Sequence, residues 1–196
     1  EDIQAIIAFL CIETEDKSAI VGVVRAMNTL LGSGSHAFAA GFYEAKGLSV
    51  LVRMLCTDSE ELLVAAIDSL QRLVPLLSGN PQFRGRVGAI AATMEQNLAG
   101  HVKLTLLTYK LLLSMCITEN PAPLSSSPGQ DTYILTYPEF LCHCVLQLAA
   151  APGTEEPVRI AAIHDVGLLL DRPANVDKFI LFPGWQPALV NVIIAQ

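Results

Sequence analysis

Apolar residues recur along the chain at the three- and four-residue spacing of a helix, and the resulting pattern repeats. Four aligned apolar segments begin at Val23, Ala65, Leu106 and Ala161. The first three segments begin 42 and 41 residues apart, the length of a HEAT or armadillo repeat, whereas the fourth begins 55 residues after the third. Residues 118–131 contain three prolines and no apolar periodicity, and removing these 14 residues restores the period. The pattern predicts an all-α fold, an armadillo/HEAT-like right-handed α-solenoid of about four repeats.

Within a repeat, the pattern predicts a long helix, a short helix and a third helix, as in armadillo units. The predicted helices are 3–12, 18–31, 36–44, 48–56, 62–77, 82–86, 87–98, 101–117, 137–150, 157–170, 176–181 and 186–195. Ser18 and Thr154 are predicted N-caps, and Pro75 predicts a kink or an early helix end. We expect a single armadillo-like domain over 1–196 with a disordered insertion at 118–131, forming a segment of a larger protein. Phosphorylation or docking at the Ser-Pro step of the insertion is an alternative to a tolerated loop.

Composition raises the question of a membrane, because 52% of the residues are apolar, only 16% are charged, and the mean hydropathy is +0.48. A helix needs roughly 20 consecutive apolar residues to span a bilayer. The charge-poor stretch 104–117 contains Lys110 and is too short. Helices packed between neighbouring repeats are apolar on most sides, so we expect a solenoid with no direct membrane span.

The distribution of charged residues indicates whether the partner is a protein or a nucleic acid. The formal net charge is −7, and the acidic residues cluster at predicted helix starts, where they complement the helix dipole. The 12 basic residues are scattered singly and form no stripe that could follow a phosphate backbone. We therefore expect a protein partner, either an extended peptide or a folded domain, and no nucleic acid.

The sequence offers little for catalysis or metal binding. Five cysteines lie in apolar helical runs, which predicts buried, reduced thiols in a cytoplasmic protein. Cys142 and Cys144 flank His143, but residues two apart on a helix point about 200° apart and cannot share a tetrahedral ion. The four histidines fall in different repeats, and no GxSxG, HExxH or Walker motif occurs. We expect no enzyme activity, no cofactor and no metal.

A binding site is predicted on the third helices of the repeats, which line the concave face of an armadillo array. These helices are 48–56, 87–98, 140–150 and 186–195. Their polar residues are the candidate partner-binding residues, namely Arg53, Gln96, Asn97, His143, Gln147 and Asn191. Burial of the same apolar helices is the alternative interpretation. A dimer formed through exposed terminal helices is a further expectation.

The C-terminal repeat carries a family resemblance. Residues 157–170 (PVRIAAIHDVGLLL), residues 175–179 (NVDKF) and residues 183–186 (PGWQ) resemble the armadillo-like helical region of BEACH-domain proteins of the neurobeachin and Chediak–Higashi class. The resemblance implies a non-catalytic scaffold in vesicle trafficking and membrane dynamics, cytoplasmic and peripheral to membranes through other domains. Residues 19–117 more loosely resemble the regulatory armadillo domain of diaphanous-type formins. That second resemblance implies a Rho-GTPase-binding regulator of actin as the alternative.

Overall fold

The computed structural model describes residues 2–11, 16–57, 59–83, 87–98, 104–119 and 133–195, without the side chains of residues 97 and 119. The chain divides into two compact units, residues 1–102 and residues 103–196. They are called unit 1 and unit 2, and each is described by itself. The prediction of one domain over 1–196 stays a prediction.

In unit 1, the long helices of successive repeats pack on each other, and so do the third helices. The helices of this unit are α1 (Asp2–Leu10), α2 (Lys17–Gly32), α3 (His36–Glu44), α4 (Gly47–Met54), α5 (Glu60–Gly79) and α6 (Val87–Leu98). Helix α2 packs along α5, while α4 packs against both α5 and α6. Because α2 with α5 and α4 with α6 are equivalent elements of successive repeats, this pairing is the stacking that the repeat pattern predicted.

Local hydrogen bonds decide where the helices of unit 1 begin. The N-cap of α2 is Asp16, whose carboxylate accepts from the backbone N–H of Ala19 at 3.1 Å. The predicted cap, Ser18, lies inside the first turn instead, because Asp16 is the residue placed to accept that bond. Ser35 caps α3 in the same way by accepting from the N–H of Phe38 at 3.2 Å.

A kink or an early helix end was the expectation at Pro75. Helix α5 continues through Pro75 to Gly79, so the helix does not end early there. Pro75 is exposed, and the turn around it is held by buried apolar residues, among them Leu73, Val74 and Leu77. Packing of that face outweighs the hydrogen bond that the proline cannot donate. The predicted helix 82–86 falls partly on residues 84–86, outside the described residues, and Phe83 lies in a turn.

By length and composition, α5 is the one helix of the described residues that could cross a membrane. It has 20 residues and a mean hydropathy of 1.3 in its most apolar window. That window is 56% buried within the fold. Burial of this extent is typical of a core helix that packs against several neighbours.

Unit 2 contains the remaining helices and a short two-stranded sheet. Its elements are α7 (Leu106–Cys116), β1 (Ile117–Glu119), β2 (Tyr133–Leu135), α8 (Pro138–Phe140), a π-helical turn (Leu141–Val145), α9 (Leu146–Ala150), α10 (Glu156–Leu170), α11 (Pro173–Ile180) and α12 (Trp185–Ile194). Helix α7 packs against α10, and α9 packs against α12. Long helices and third helices thus stack in unit 2 as they do in unit 1.

The sheet was not predicted from the sequence. Strands β1 and β2 pair antiparallel, with Thr118 opposite Ile134. The predicted insertion 118–131 therefore overlaps β1 by two residues, and residues 120–131 lie outside the described residues. The predicted helix 101–117 ends at Cys116, since Ile117 already has an extended backbone.

Two caps in unit 2 also differ from expectation. Thr105 caps α7 by accepting from the N–H of Thr108 at 3.2 Å. The N-cap of α10 is Glu155 and not the predicted Thr154. Thr154 is buried, and its hydroxyl instead donates to the carbonyl of Leu148 at 2.9 Å, so it is used to close the preceding turn.

Candidate functional site

The candidate residues of unit 1 lie on two helices that pack together, α4 and α6. Arg53 is exposed on α4, and its Nη2 lies 3.2 Å from Sγ of Cys11. Gln96 is exposed on α6, whereas the side chain of Asn97 lies outside the described residues. Arg53 therefore contacts the end of α1, and Gln96 is open to solvent.

The candidate residues of unit 2 also lie on neighbouring elements, because α12 packs against α9 and the π-helical turn. His143 is half-buried in that turn, and its ring meets Phe182 edge to face with centroids 5.2 Å apart. Gln147 is half-buried on α9, and Asn191 is exposed on α12. His143 is thus engaged in packing, while Asn191 is accessible. A role for the six residues in binding a partner stays a prediction.

The cysteines depart from the prediction of five buried thiols. All five are free, and Cys116, Cys142 and Cys144 are buried, but Cys11 and Cys56 are exposed. Both exposed residues lie just past the end of a helix, where the packed apolar face has ended. Among the described residues, no cluster of three His, Cys, Asp or Glu side chains could hold a metal ion.

Burial also sets the chemistry of the thiols. Desolvation, reinforced by the nearby Glu139 carboxylate, raises the pKa of Cys142 to about 12. Desolvation, with smaller contributions from Cys144, Cys142 and Glu139, raises the pKa of Cys116 well above its ordinary value. A thiol with a raised pKa carries little of the reactive thiolate near neutral pH.

A thiol reagent such as DTNB, applied near pH 8, is expected to modify the two exposed cysteines of the folded protein. Cys11 should react first and Cys56 more slowly, because desolvation raises the pKa of Cys56. The other three should react only after unfolding in urea, because they are buried and because burial raises the pKa of Cys116 and Cys142. Absorbance of the released chromophore counts the thiols. The Cys56→Ser variant should lose one of the two equivalents that react in the folded protein. Fast reaction of a third thiol would show that the buried cluster is accessible.

Polar side chains connect the long helices of each unit in equivalent places. In unit 1, the Asn28 amide donates to the carboxylate of Asp68 at 2.8 Å, and the Ser69 hydroxyl donates to Asn28. In unit 2, the Tyr109 hydroxyl donates to the carboxylate of Asp165 at 2.9 Å. Desolvation, followed by the charge of Asp165 and this hydrogen bond, raises the pKa of Tyr109. These groups hold repeat to repeat and do not form an open reaction site.

The exposed side of α10 carries a row of large apolar side chains. This surface, called the α10 face, consists of Glu156, Ile160, Ile163, His164, Gly167, Leu168 and Asp171, all exposed. At 100° per residue these positions fall within an arc of about 140°. Ile160, Ile163 and Leu168 expose 59%, 40% and 56% of their surface. The opposite side of α10 is buried through Val158, Ala162, Val166 and Leu169. A helix that is apolar on both sides is expected to have a partner on both sides.

The equivalent side of α5 shows that the α10 face is not a general property of the repeat. In the repeat alignment, His164, Gly167 and Leu168 of α10 correspond to Asp68, Gln71 and Arg72 of α5. Asp68 and Arg72 form an ion pair along the helix at 3.0 Å. Leu168 therefore has a charged counterpart on α5. Ile160 corresponds to Val64, which is also exposed, and Ile163 corresponds to Ile67, which is buried.

The sequence pattern does not reveal the α10 face, because it predicts that every long helix packs between neighbouring repeats. Helix α10 is apolar on nearly all sides, because residues 160, 163 and 168 add to the apolar residues of its buried side. This apolar pattern does not show which of the apolar residues are exposed in the fold.

Further exposed apolar side chains lie on α11 and α12, namely Ile180, Leu181, Val190, Ile193 and Ile194. The predicted dimer through terminal helices is not tested by these exposures.

Stacked helix pairs in both units define the class of the protein as an α-solenoid. Comparison with protein families supports this class and is more specific, since the model described as "Neurobeachin/BDCP, DUF4704 alpha solenoid region" matches residues 1–196. The chain therefore belongs to the neurobeachin/BDCP alpha-solenoid family. Searches of curated proteins and of solved structures found no match.

The family match confirms the resemblance to the helical region of BEACH-domain proteins, and it confirms the all-α solenoid class. It also spans residues 19–117, on which the weaker resemblance to formins depended. That stretch therefore belongs to the neurobeachin-type region as well.

Proposed function

We propose that the chain is a non-catalytic scaffold region of a neurobeachin-type BEACH protein, and that it holds a partner protein on the α10 face. The supporting observation is the row of three exposed apolar side chains on α10, one of which, Leu168, lies where α5 carries the charged Arg72. Exposed apolar surface of this kind is typical of protein interaction sites.

The chemistry of the described residues also favours binding over catalysis. The groups with strongly raised pKa, Tyr109, Cys116 and Cys142, are packed between helices. Five free cysteines support a reducing compartment. We therefore propose a cytoplasmic location, peripheral to membranes through other parts of the full-length protein, and a role in vesicle trafficking.

Site-specific photo-crosslinking in cells tests this function. A photoreactive phenylalanine analogue at Leu168 is expected to crosslink a discrete partner, whereas the same analogue at Arg72, the equivalent exposed position on α5, is not. The additional change Ile160→Lys should abolish the crosslink, because it places a charge in the apolar row.

Mass spectrometry of the crosslinked product distinguishes the candidate partners. Proteins of vesicle trafficking are the expected products. A Rho GTPase crosslinked only in its GTP-loaded form would favour the formin-like alternative instead. Equal crosslinking from positions 168 and 72, or crosslinking that survives Ile160→Lys, would contradict docking on the α10 face.

A further inference from the structure

Gly167 lies in the middle of the α10 face, at a position where none of the described residues requires a glycine. It is exposed within a regular helix, and a Cβ added to it would meet no atom within 4 Å. Glycine destabilises a helix interior relative to alanine. A glycine on a helix face does allow the backbone of a second helix to approach closely. The open space above Gly167 is therefore suited to a second helix.

A carboxylate lies at each end of the α10 face. Glu156 lies in the first turn of α10 and Asp171 at its C-cap, roughly 22 Å apart along the helix axis. Glu156 complements the helix dipole, but Asp171 lies at the end where the dipole disfavours negative charge. The last turn of α10 carries no basic residue. The position of Asp171 is therefore not explained by the stability of its own helix.

The described cations of unit 2 form no ion pair with these two carboxylates. Each of these cations donates to another group of the unit, namely Lys110 to Asp165, Arg159 to the carbonyl of Thr154, Arg172 to the carbonyl of Tyr133 and Lys178 to the carbonyl of Leu135. Each end of the α10 face thus carries a carboxylate that forms no ion pair with a described residue, and exposed apolar side chains lie between them.

A second copy of the chain does not fit this surface. If two α10 helices packed antiparallel about a two-fold axis, Glu156 of each would face Asp171 of the other. A parallel arrangement would place each carboxylate against its own copy. Both arrangements bring like charges together, which opposes association.

We infer that the α10 face binds an amphipathic α-helix of another polypeptide, with an apolar stripe over Ile160, Ile163 and Leu168 and with Lys or Arg at both ends. Gly167 is the point of closest approach between the two helices. The inference rests on the proposed function and adds the chemistry of the partner to it.

The probe is a fluorescein-labelled synthetic 18-residue peptide with leucines at positions i, i+4, i+7 and i+11, two lysines at each end and alanines elsewhere. A matched peptide carries glutamates in place of the lysines. Fluorescence anisotropy is expected to show binding at least about tenfold tighter for the lysine peptide, weakening as salt is added. The Asp171→Asn variant should weaken its binding roughly threefold, whereas Asp177→Asn, an exposed acid on α11, should not change it.

Gly167→Ala separates a docking role from a structural one. Alanine should raise the unfolding temperature of the chain and weaken binding of the lysine peptide. Gly22→Ala is the matched control, because Gly22 is also exposed in a long helix with no atom within 4 Å of an added Cβ. It should raise the unfolding temperature without changing binding.

The outcomes distinguish this inference from the function on which it rests. Equal binding of both peptides, lost in Leu168→Lys, would overturn the basic partner but leave docking on the α10 face intact. Peptide binding that is unaffected by Leu168→Lys would overturn both. A dimer in light scattering that dissociates in Leu168→Lys would show a second copy as the occupant and overturn the inference.

Discussion

Asn175→Ala is expected to destabilise unit 2 by about 3 kcal/mol, although Asn175 lies on a helix of only eight residues. Its side chain is fully buried. The Oδ1 atom accepts from the N–H of Leu135 at 2.9 Å, and Nδ2 donates to the carbonyls of Leu169 at 2.9 Å and Tyr133 at 3.0 Å. Alanine would leave the buried N–H of Leu135 and the carbonyl of Leu169 without partners, at about 1–3 kcal/mol each.

Urea unfolding followed by tryptophan fluorescence measures this loss. Trp185 is the single tryptophan of the chain and lies in unit 2, at the start of α12, so its emission reports the unfolding of that unit. Asn191→Ala is the matched control, because Asn191 is exposed on α12, and it should change stability by less than about 0.5 kcal/mol. Equal midpoints for the two variants would show that the bonds of Asn175 do not hold β2 in place.

Much of the fold could be predicted because its signals are local. Apolar residues at helical spacing located the long helices, and the period of the repeat predicted that α2 stacks on α5 and α7 on α10. Loss of that period also located the interruption after α7. The apolar stripe and the repeat length are both properties of a single stretch of sequence, so they can be seen without the folded structure.

Features that depend on distant residues could not be predicted in this way. Strand β2 is held by Asn175, which is 40 residues beyond Leu135 in the sequence. Cys11 and Cys56 belong to apolar runs, and only the ends of α1 and α4 decide that they are exposed.

The α10 face could not be predicted from the sequence for the same reason. Residue type alone indicates the polar residues of the third helices, whereas the α10 face is defined by which apolar residues remain exposed. Covering depends on the packing of α7, α9, α11 and α12 around α10. Sequence periodicity shows that α10 is apolar, but the folded structure is needed to show that one side of it is open.

Gly47→Ala is expected to destabilise unit 1 by about 3 kcal/mol. Gly47 is the first residue of α4 and is buried against the ring of Phe42. A Cβ at this position would lie closer to three ring atoms than the 3.0 Å below which real Cβ contacts essentially do not occur. The ring cannot move aside easily, because Phe42 is fully buried and stacks with Phe38. Urea unfolding followed by far-ultraviolet circular dichroism measures the loss, and hydrogen exchange in α4 assigns it to unit 1.

A second substitution at the ring tests this explanation of the effect of Gly47→Ala. Phe42→Leu destabilises by removing part of a buried side chain, but it also makes space for the new Cβ. The cost of Gly47→Ala should therefore be smaller in the Phe42→Leu background, with a coupling energy of about 1 kcal/mol between the two sites. The same alanine at Gly22, where no atom lies within 4 Å, should instead stabilise by about 0.5–1 kcal/mol. If Gly47→Ala and Gly22→Ala changed stability equally, the contact with Phe42 would not be the reason that α4 begins with a glycine.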